Sequence, residues 1–330
     1  MKRSWGIWVH AGLLGTAMGL AWYMSGRVDE PAGAATSSVD LWKVDADLVR
    51  SVTLDSIEHH VLVESKRDKV GRYAVVTIET QPKIAGPDAG AALPAIPSKK
   101  RMISVDAAEK LFEGMARFRT LRTIGKLESK RNSEFGLDKP TWTLKVDLGN
   151  RTRVLTVGAS TPGGGNYYVR DDQSGLVQVA VGEPISILQY AEARLAERDL
   201  HGFKFDDAVR IAIQVGGKRR QLVRVTGKAN AWADPAKTTL QDETASNWVT
   251  KLAQLRVTAY EEKYQNTPVP ILRVEYGDEK TSLGYIELFR VADGADPAKY
   301  IVKTERSRWF AEVVKSQAEQ IDKDAALVVK

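Results

Sequence analysis

The sequence predicts an α+β protein: an N-terminal transmembrane helix followed by two duplicated units of mainly antiparallel sheet packed with amphipathic helices. Three observations carry this expectation. Residues 5–24 contain no charged side chain, a stretch long enough for one membrane crossing. Residues 142–148 alternate, with Trp142, Leu144, Val146 and Leu148 on one face and Thr143, Lys145 and Asp147 on the other, which is the period of a half-buried strand. The succession of strand-like and helix-like segments in 41–202 recurs in 203–330, so the repeated object is a whole domain rather than a short solenoid unit.

Composition narrows the class. The 330 residues suffice for two domains of ordinary size, and 43% hydrophobic with 8% aromatic residues belongs to a folded chain. The formal charge is +6, with 48 bases interspersed among 42 acids. A nucleic-acid binder gathers such an excess on one element, so no nucleic-acid partner is expected. There is no cysteine, which removes disulfides, thiolate metal sites, cysteine nucleophiles and lipoprotein acylation together.

The first element is the membrane helix. Lys2 and Arg3 precede residues 5–24, and a helix of that length spans roughly 30 Å, the thickness of a hydrocarbon core. Trp5, Trp8, Trp22 and Tyr23 lie near its ends, where amphipathic rings favour the interface. Gly12, Gly15 and Gly19 share a face, a spacing that permits close approach of a second helix and leaves a homodimer open. A cleaved signal peptide is the competing reading. It would have a shorter apolar core and small residues before the cut, whereas Ala21-Trp22-Tyr23-Met24 is bulky and Ala32-Gly33-Ala34-Ala35 comes ten residues later. Residues 1–28 are therefore expected to be an uncleaved signal-anchor, and 29–40 a linker rich in Pro, Ala, Gly, Thr and Ser. Lys2 and Arg3 outweigh Arg27, which has Asp29 and Glu30 beside it, so the N-terminus is expected in the cytoplasm and the body outside.

The first unit, 41–202, opens with strands at Val52-Thr53-Leu54, Val61-Leu62-Val63 and Arg72-Tyr73-Ala74-Val75-Val76. The second, 203–330, opens with Ile211-Ala212-Ile213, Leu222-Val223-Arg224-Val225 and Ala231-Trp232-Ala233. A helix follows in each. In the first, Ser104 or Asp106 is the expected cap, and Ala108, Leu111, Phe112, Met115 and Phe118 form the apolar stripe. In the second, Thr244 is the expected cap, with Ala245, Trp248, Val249, Leu252 and Leu255 as the stripe. Both stripes read as core rather than as ligand boxes.

Four strands come next in each unit: 142–148 against 271–276, 153–157 against 283–291, 168–170 against 300–303, and 177–181 against 309–313. Pro162 and Pro297 fall at comparable turns. Each unit closes with a helix. The first places Pro184 in its first turn and Ile187, Leu188, Ala191 and Leu195 on one side; the second carries Ser316, Ala318 and Ile321. The chief asymmetry is a Pro-, Ala- and Gly-rich insertion at 80–100, read as a surface loop or a partner-binding one.

No catalytic, cofactor-binding or metal-binding residue is expected. Gly163-Gly164-Gly165 is followed by Tyr167-Tyr168-Val169, a strand, whereas a phosphate loop needs a helix there; a hairpin turn with positive φ accounts for the glycines. Asp171-Asp172 reads as the next turn. His59 and His60 would point to opposite faces of a strand, a poor arrangement for one metal, and His201 stands apart from them. Ser160 and Thr161 have no motif-linked base. The basic runs 99–101 and 218–220 read as solvated hairpin tips, with anionic headgroups or envelope polymer as their functional alternative.

The segment Glu134-Phe135-Gly136-Leu137-Asp138-Lys139-Pro140, the strand after it, and Val157-Gly158-Ala159-Ser160-Thr161-Pro162-Gly163-Gly164-Gly165-Asn166-Tyr167-Tyr168-Val169-Arg170 resemble the bacterial membrane-anchored proteins grouped as domain of unknown function 4340. The second unit has Pro297 and Tyr300 but no Gly-rich turn. The resemblance implies an extracytoplasmic α+β protein associated with ABC-2-type exporters of the gliding-motility kind, and it carries over no catalytic residue. Joined to the topology above, it gives the expected function. This is a single-pass accessory protein of the inner membrane, held by residues 5–24, with a periplasmic body that contacts an ABC-type permease or its auxiliary subunits. A glycan- or envelope-polymer-binding module, with Tyr167 as a stacking ring, is the alternative. An extracytoplasmic hydrolase with a pocket of perturbed titratable groups is the third reading.

Overall fold

Strand alternation and helix stripes resolve into two antiparallel sheets in a computed structural model of the chain, which describes residues 38–81, 97–264, 268–293 and 296–330. The expected anchor at 1–28, residues 29–37 of the expected linker and most of the 80–100 insertion lie outside the described residues, and the last linker positions, Val39 and Asp40, begin a strand. Among the described residues no helix is long and apolar enough to cross a membrane.

The first sheet comprises β1 (Val39–Lys43), β2 (Ser51–Asp55), β3 (His59–Arg67), β4 (Arg72–Thr80), β5 (Ser98–Ser104), β6 (Arg117–Gly125), β7 (Trp142–Asp147), β8 (Thr152–Ser160), β9 (Asn166–Asp171) and β10 (Val177–Val181). Its spatial order is β1-β6-β10-β9-β8-β7-β2-β3-β4-β5. The second sheet comprises β11 (Arg210–Val215), β12 (Lys218–Arg224), β13 (Trp232–Ala233), β14 (Val257–Glu261), β15 (Pro270–Gly277), β16 (Ser282–Asp293), β17 (Asp296–Thr304) and β18 (Phe310–Val313). Its order is β13-β12-β11-β15-β16-β17-β18-β14. From β4 inward the first sheet runs β4-β3-β2-β7-β8-β9-β10-β6. That is the second sheet's path strand for strand, with β5 and β1 added at the two edges.

Each sheet buries one face under helices, as a half-apolar sheet must. Over the first lie α1 (Asp106–Ala116), α2 (Glu183–Gln189) and α3 (Ala191–Arg194). The alternation at β7 holds: Leu144, Val146 and Leu148 are buried, against Val52 and Leu54 of β2 and Leu111, Phe112 and Met115 of α1. Full burial of side chains of this size contributes about 1.5–3 kcal/mol each. Over the second sheet lie α4 (Glu243–Ala253) and α5 (Lys315–Val328), where Trp248, Val249 and Leu252 meet Ala318, Ile321 and Ala325. The Trp248 indole donates to the Ile321 carbonyl at 2.9 Å, which joins the two helices.

Several local expectations are corrected. Neither Ser104 nor Asp106 caps α1; the cap position is Val105, without a side-chain bond. Asp242, not Thr244, caps α4, its side chain accepting from the Ala245 amide at 2.9 Å. Phe118 does not extend the α1 stripe. The Trp42 indole donates to the Met115 carbonyl at 2.6 Å and the Val44 amide to the Ala116 carbonyl at 2.9 Å. These bonds satisfy carbonyls that a helix end leaves open, and the chain straightens into β6 with Phe118 stacked on Trp42 at 4.7 Å. The closing helix of the first unit breaks at Tyr190, where φ −113° and ψ 35° leave the helical region. Pro297 falls inside β17 rather than at a turn.

Residues 99–101 are not a hairpin tip. They belong to β5, which pairs with β4 from Ala74↔Ser104 to Thr80↔Ser98. Its sequence, Ser98-Lys99-Lys100-Arg101-Met102-Ile103-Ser104, has no period-2 apolar signal; the ladder to β4 holds it as a strand. In 218–220 the turn at Gly216 and Gly217 is present, but Arg220 is no solvated tip. It donates to Asp242 at 2.7 Å and to the Val328 carbonyl at 2.8 Å, tying the start of α4 to the end of α5.

Candidate interaction surface at the joint between the sheets

The two sheets meet along their edge strands β5 and β14, through a small apolar cluster of Val75 and Ile103 from the first and Trp309 from the second, flanked by Tyr73, Val105 and Tyr260. Around it the turn after β17, Thr304-Glu305-Arg306-Ser307-Arg308, acts as a clamp. Arg306 reaches Glu197 and Asp106, each at 2.9 Å. Arg308 lies 3.2 Å from Asp68 and 5.4 Å from the Tyr73 ring. The Thr304 hydroxyl donates to the Leu200 carbonyl at 2.5 Å. Glu305 accepts from the Gly202 and Tyr285 amides at 2.9 and 3.1 Å, and the Tyr260 hydroxyl donates to the Glu197 carbonyl.

Electrostatics favour the charged forms of Arg306 and Glu305. Burial disfavours the charged form of Arg306, but the Asp106 and Glu197 carboxylates outweigh it and raise its pKa. Burial pushes the Glu305 carboxyl up, yet His201 and the Gly202 amide hold it below the usual value. Burial raises the Tyr260 hydroxyl, which keeps it a neutral donor. Arg306 and Glu197 are both largely buried, so deleting one leaves the other's charge uncompensated. Arg306→Ala is expected to destabilise the chain by about 3 kcal/mol, and to open residues 195–205 to limited proteolysis while Arg306→Lys retains partial protection. Chemical unfolding and mass mapping of the first cleavage measure both.

Beside the clamp runs a groove of about 950 Å³, bounded by Lys99, Lys100, Arg101 and Met102 of β5, by residues 192–198, and by Leu255, Arg256 and β14. Lys100 pairs with Glu192 at 2.6 Å, Lys99 with Glu79 at 2.8 Å and Arg101 with Glu262 at 3.1 Å. A smaller hollow of about 310 Å³ lies over β11, β12 and β15 and includes Arg210, Arg219, Glu275 and Lys280. There Arg210 is already engaged with the Asp278 carbonyl at 2.6 Å.

The side chains singled out from sequence are not brought together. His60 bonds Asp55; His59 stacks near Trp142 at 6.2 Å and reaches the Thr80 hydroxyl at 3.3 Å. His201 lies 3.1 Å from Glu305 with its ring against Phe203 and Tyr276. No group of three His, Asp or Glu with metal-holding geometry occurs among the described residues. Gly163, Gly164 and Gly165 have φ of 88°, 76° and 80°, the left-handed values that favour glycine in a tight turn. Tyr167 is half-buried, packs against the first sheet's core, and its hydroxyl donates to Gln189 at 2.6 Å. Asp171 ends β9 in a buried ion pair with Arg153 at 3.0 Å, and Asp172 accepts from the Thr156 hydroxyl at 2.9 Å. Sequence reading passed over Glu197, Glu305, Arg306 and Arg308. Glu305, Arg306 and Arg308 are marked locally by nothing more than a polar turn after a strand, and Glu197 by its place after a short helix.

Fold and site together define a two-sheet α+β protein with a charged joint and a basic groove. A family model described as Domain of unknown function (DUF4340) matches residues 106–271, half of the chain, and the chain belongs to that family. The match starts with α1, ends in β15, and so takes in Glu197, His201 and Tyr260 of the joint. No curated protein and no solved structure matches the chain.

Proposed function

We propose that the protein is a non-enzymatic, membrane-anchored extracytoplasmic accessory protein that works through contacts with protein partners. Residues 5–24 hold it in the inner membrane with the N-terminus in the cytoplasm. Its two lobes are copies of one unit, a reading supported by the strand order that both sheets share. The supposed partner is an ABC-2-type export complex, its permease or an auxiliary subunit; the family resemblance alone suggests this, and fold does not name a partner. The observation that favours partner binding is the joint. An ion-paired clamp fixes two lobes around a basic groove of about 950 Å³ bounded by two sheet-edge strands, and such edges are recognition surfaces for other chains. The glycan reading has less behind it, because Tyr167 is tied to Gln189.

Topology and partnership are testable separately. The chain has no cysteine, so a single introduced thiol reports on one position. In spheroplasts a membrane-impermeant maleimide is expected to label Ser316→Cys and to leave Ser4→Cys unlabelled until the membrane is lysed. Labelling of both, or release of the protein from washed membranes, sinks the anchored topology. Cross-linking followed by purification in mild detergent is expected to recover a permease or its auxiliary subunit; repeated recovery of the protein alone counts against the partner.

A further inference from the structure

We infer that the groove between β5 and β14 takes an extended, acidic polypeptide segment, which adds as a strand to the outer edge of β5. This deepens the proposed function and rests on its reading of the protein as a partner-binding accessory.

The backbone supplies the first half of the argument. β5 and β14 are the outermost strands of their sheets at this joint, and they lie close together without forming a ladder. The Ile103 carbonyl accepts from the Glu197 amide at 3.0 Å, so Ile103 presents its main-chain groups on the side away from β4. A strand repeats every second residue, and the amides and carbonyls of Lys99 and Arg101 therefore face the same outer side. Glu197 covers only the Ile103 end. Beyond it no strand pairs with this edge among the described residues. An edge of this kind is a template for one more strand.

Charge supplies the second half. The groove gathers Lys99, Lys100, Arg101, Arg198 and Arg256 against Glu192 and Glu197. Lys99, Lys100 and Arg101 have carboxylate partners. Among the described residues Arg198 donates only to the Ala193 carbonyl, and Arg256 has no ion pair. Two cations are thus left uncompensated along the groove, and complementarity calls for a negatively charged occupant. The same charges exclude a second copy of this chain, because edge-to-edge pairing at β5 would set Lys99, Lys100 and Arg101 against themselves.

The test uses the full chain in mild detergent and fluorescently labelled synthetic peptides of about eight residues, the ordinary length of a strand. One alternates Glu and Val, one alternates Lys and Val, and one is the Glu/Val peptide with every second amide N-methylated. Anisotropy is expected to show binding of the acidic peptide alone. N-methylation on one edge abolishes it, and the Arg198→Glu, Arg256→Glu double variant weakens it by about tenfold or more. Neither arginine carries an ion pair among the described residues, so the variant is expected to keep the wild-type unfolding midpoint. No binding of the acidic peptide, equal binding of the basic peptide, or indifference to N-methylation overturns the proposal. So does binding of phosphatidylglycerol vesicles that the double variant abolishes while peptide stays unbound, since it assigns the cations to a lipid surface. The cross-linked purification, repeated on the double variant, separates the two readings. A partner recovered equally by wild type and variant leaves the accessory role standing and removes the groove from it.

Discussion

Asp171→Ala is expected to destabilise the protein by about 3–5 kcal/mol, because it strands a buried guanidinium. The Arg153 side chain lies 3.0 Å from Asp171, and the two side chains are 10% and 4% exposed. Asp171 also accepts from the Ser174 hydroxyl at 2.7 Å and its amide at 3.2 Å, so the same carboxylate shapes the β9–β10 turn. Replacing both partners, as in Asp171→Ala with Arg153→Met, is expected to recover much of the loss, since no orphaned charge remains. The effect depends on pH. Burial raises the Asp171 carboxyl, but the Ser174 hydroxyl and the Arg153 charge outweigh burial and hold it below its ordinary value. A carboxyl depressed on folding stabilises fully above its unfolded pKa of about 3.9, and the contribution fades as pH falls through the folded value. Urea unfolding followed by tryptophan fluorescence should therefore separate wild type and Asp171→Ala more widely at pH 7 than at pH 3, the gap narrowing as pH falls below the unfolded value. An equal gap at both values contradicts the assignment.

Gly158→Ala is expected to cost about 3 kcal/mol or to prevent folding, more than most single methyl insertions. A Cβ at this position would sit 2.3 Å from the Phe135 carbonyl oxygen and 3.0 Å from a Leu137 methyl. Backbone on that side cannot yield easily. The 3-10 turn Ser129–Phe135 ends at Gly136, whose φ is 65°, and Leu137 is buried behind it. Gly163→Ala is the control. Its Cβ would meet nothing within 4 Å, and only the φ of 88° resists the change, which costs about 1–2 kcal/mol. If thermal midpoints place Gly163→Ala below Gly158→Ala, the packing account of the Phe135-Gly136-Leu137 motif is wrong. That motif, which carries the family resemblance, thus has a structural reason: the turn docks its backbone onto β8 where only a glycine leaves room.

Much of the fold was legible because its signals are local. The β7 alternation, the stripe through Leu111, Phe112 and Met115, and the turn glycines each follow from the period or the φ requirement of one element. The two matching successions of segments were visible for the same reason, and both sheets follow one strand order. Strands β1, β5, β6 and β14 escaped notice. β5 and β6 interleave cations with apolar residues, and β1 and β14 are five-residue edge strands, too short to show a clear alternation.

By itself the sequence determined which segments are apolar on one face, where the chain must turn, that no thiol chemistry is open to it, and that residues 5–24 suit a hydrocarbon interior. Only the tertiary structure decided that Arg306 meets Asp106 and Glu197, that Arg153 is buried against Asp171, and that two edge strands face each other across a basic groove. The reason is physical. Periodicity is a property of neighbours along the chain, whereas an ion pair is set by Coulomb attraction between groups that folding alone brings within a few ångströms.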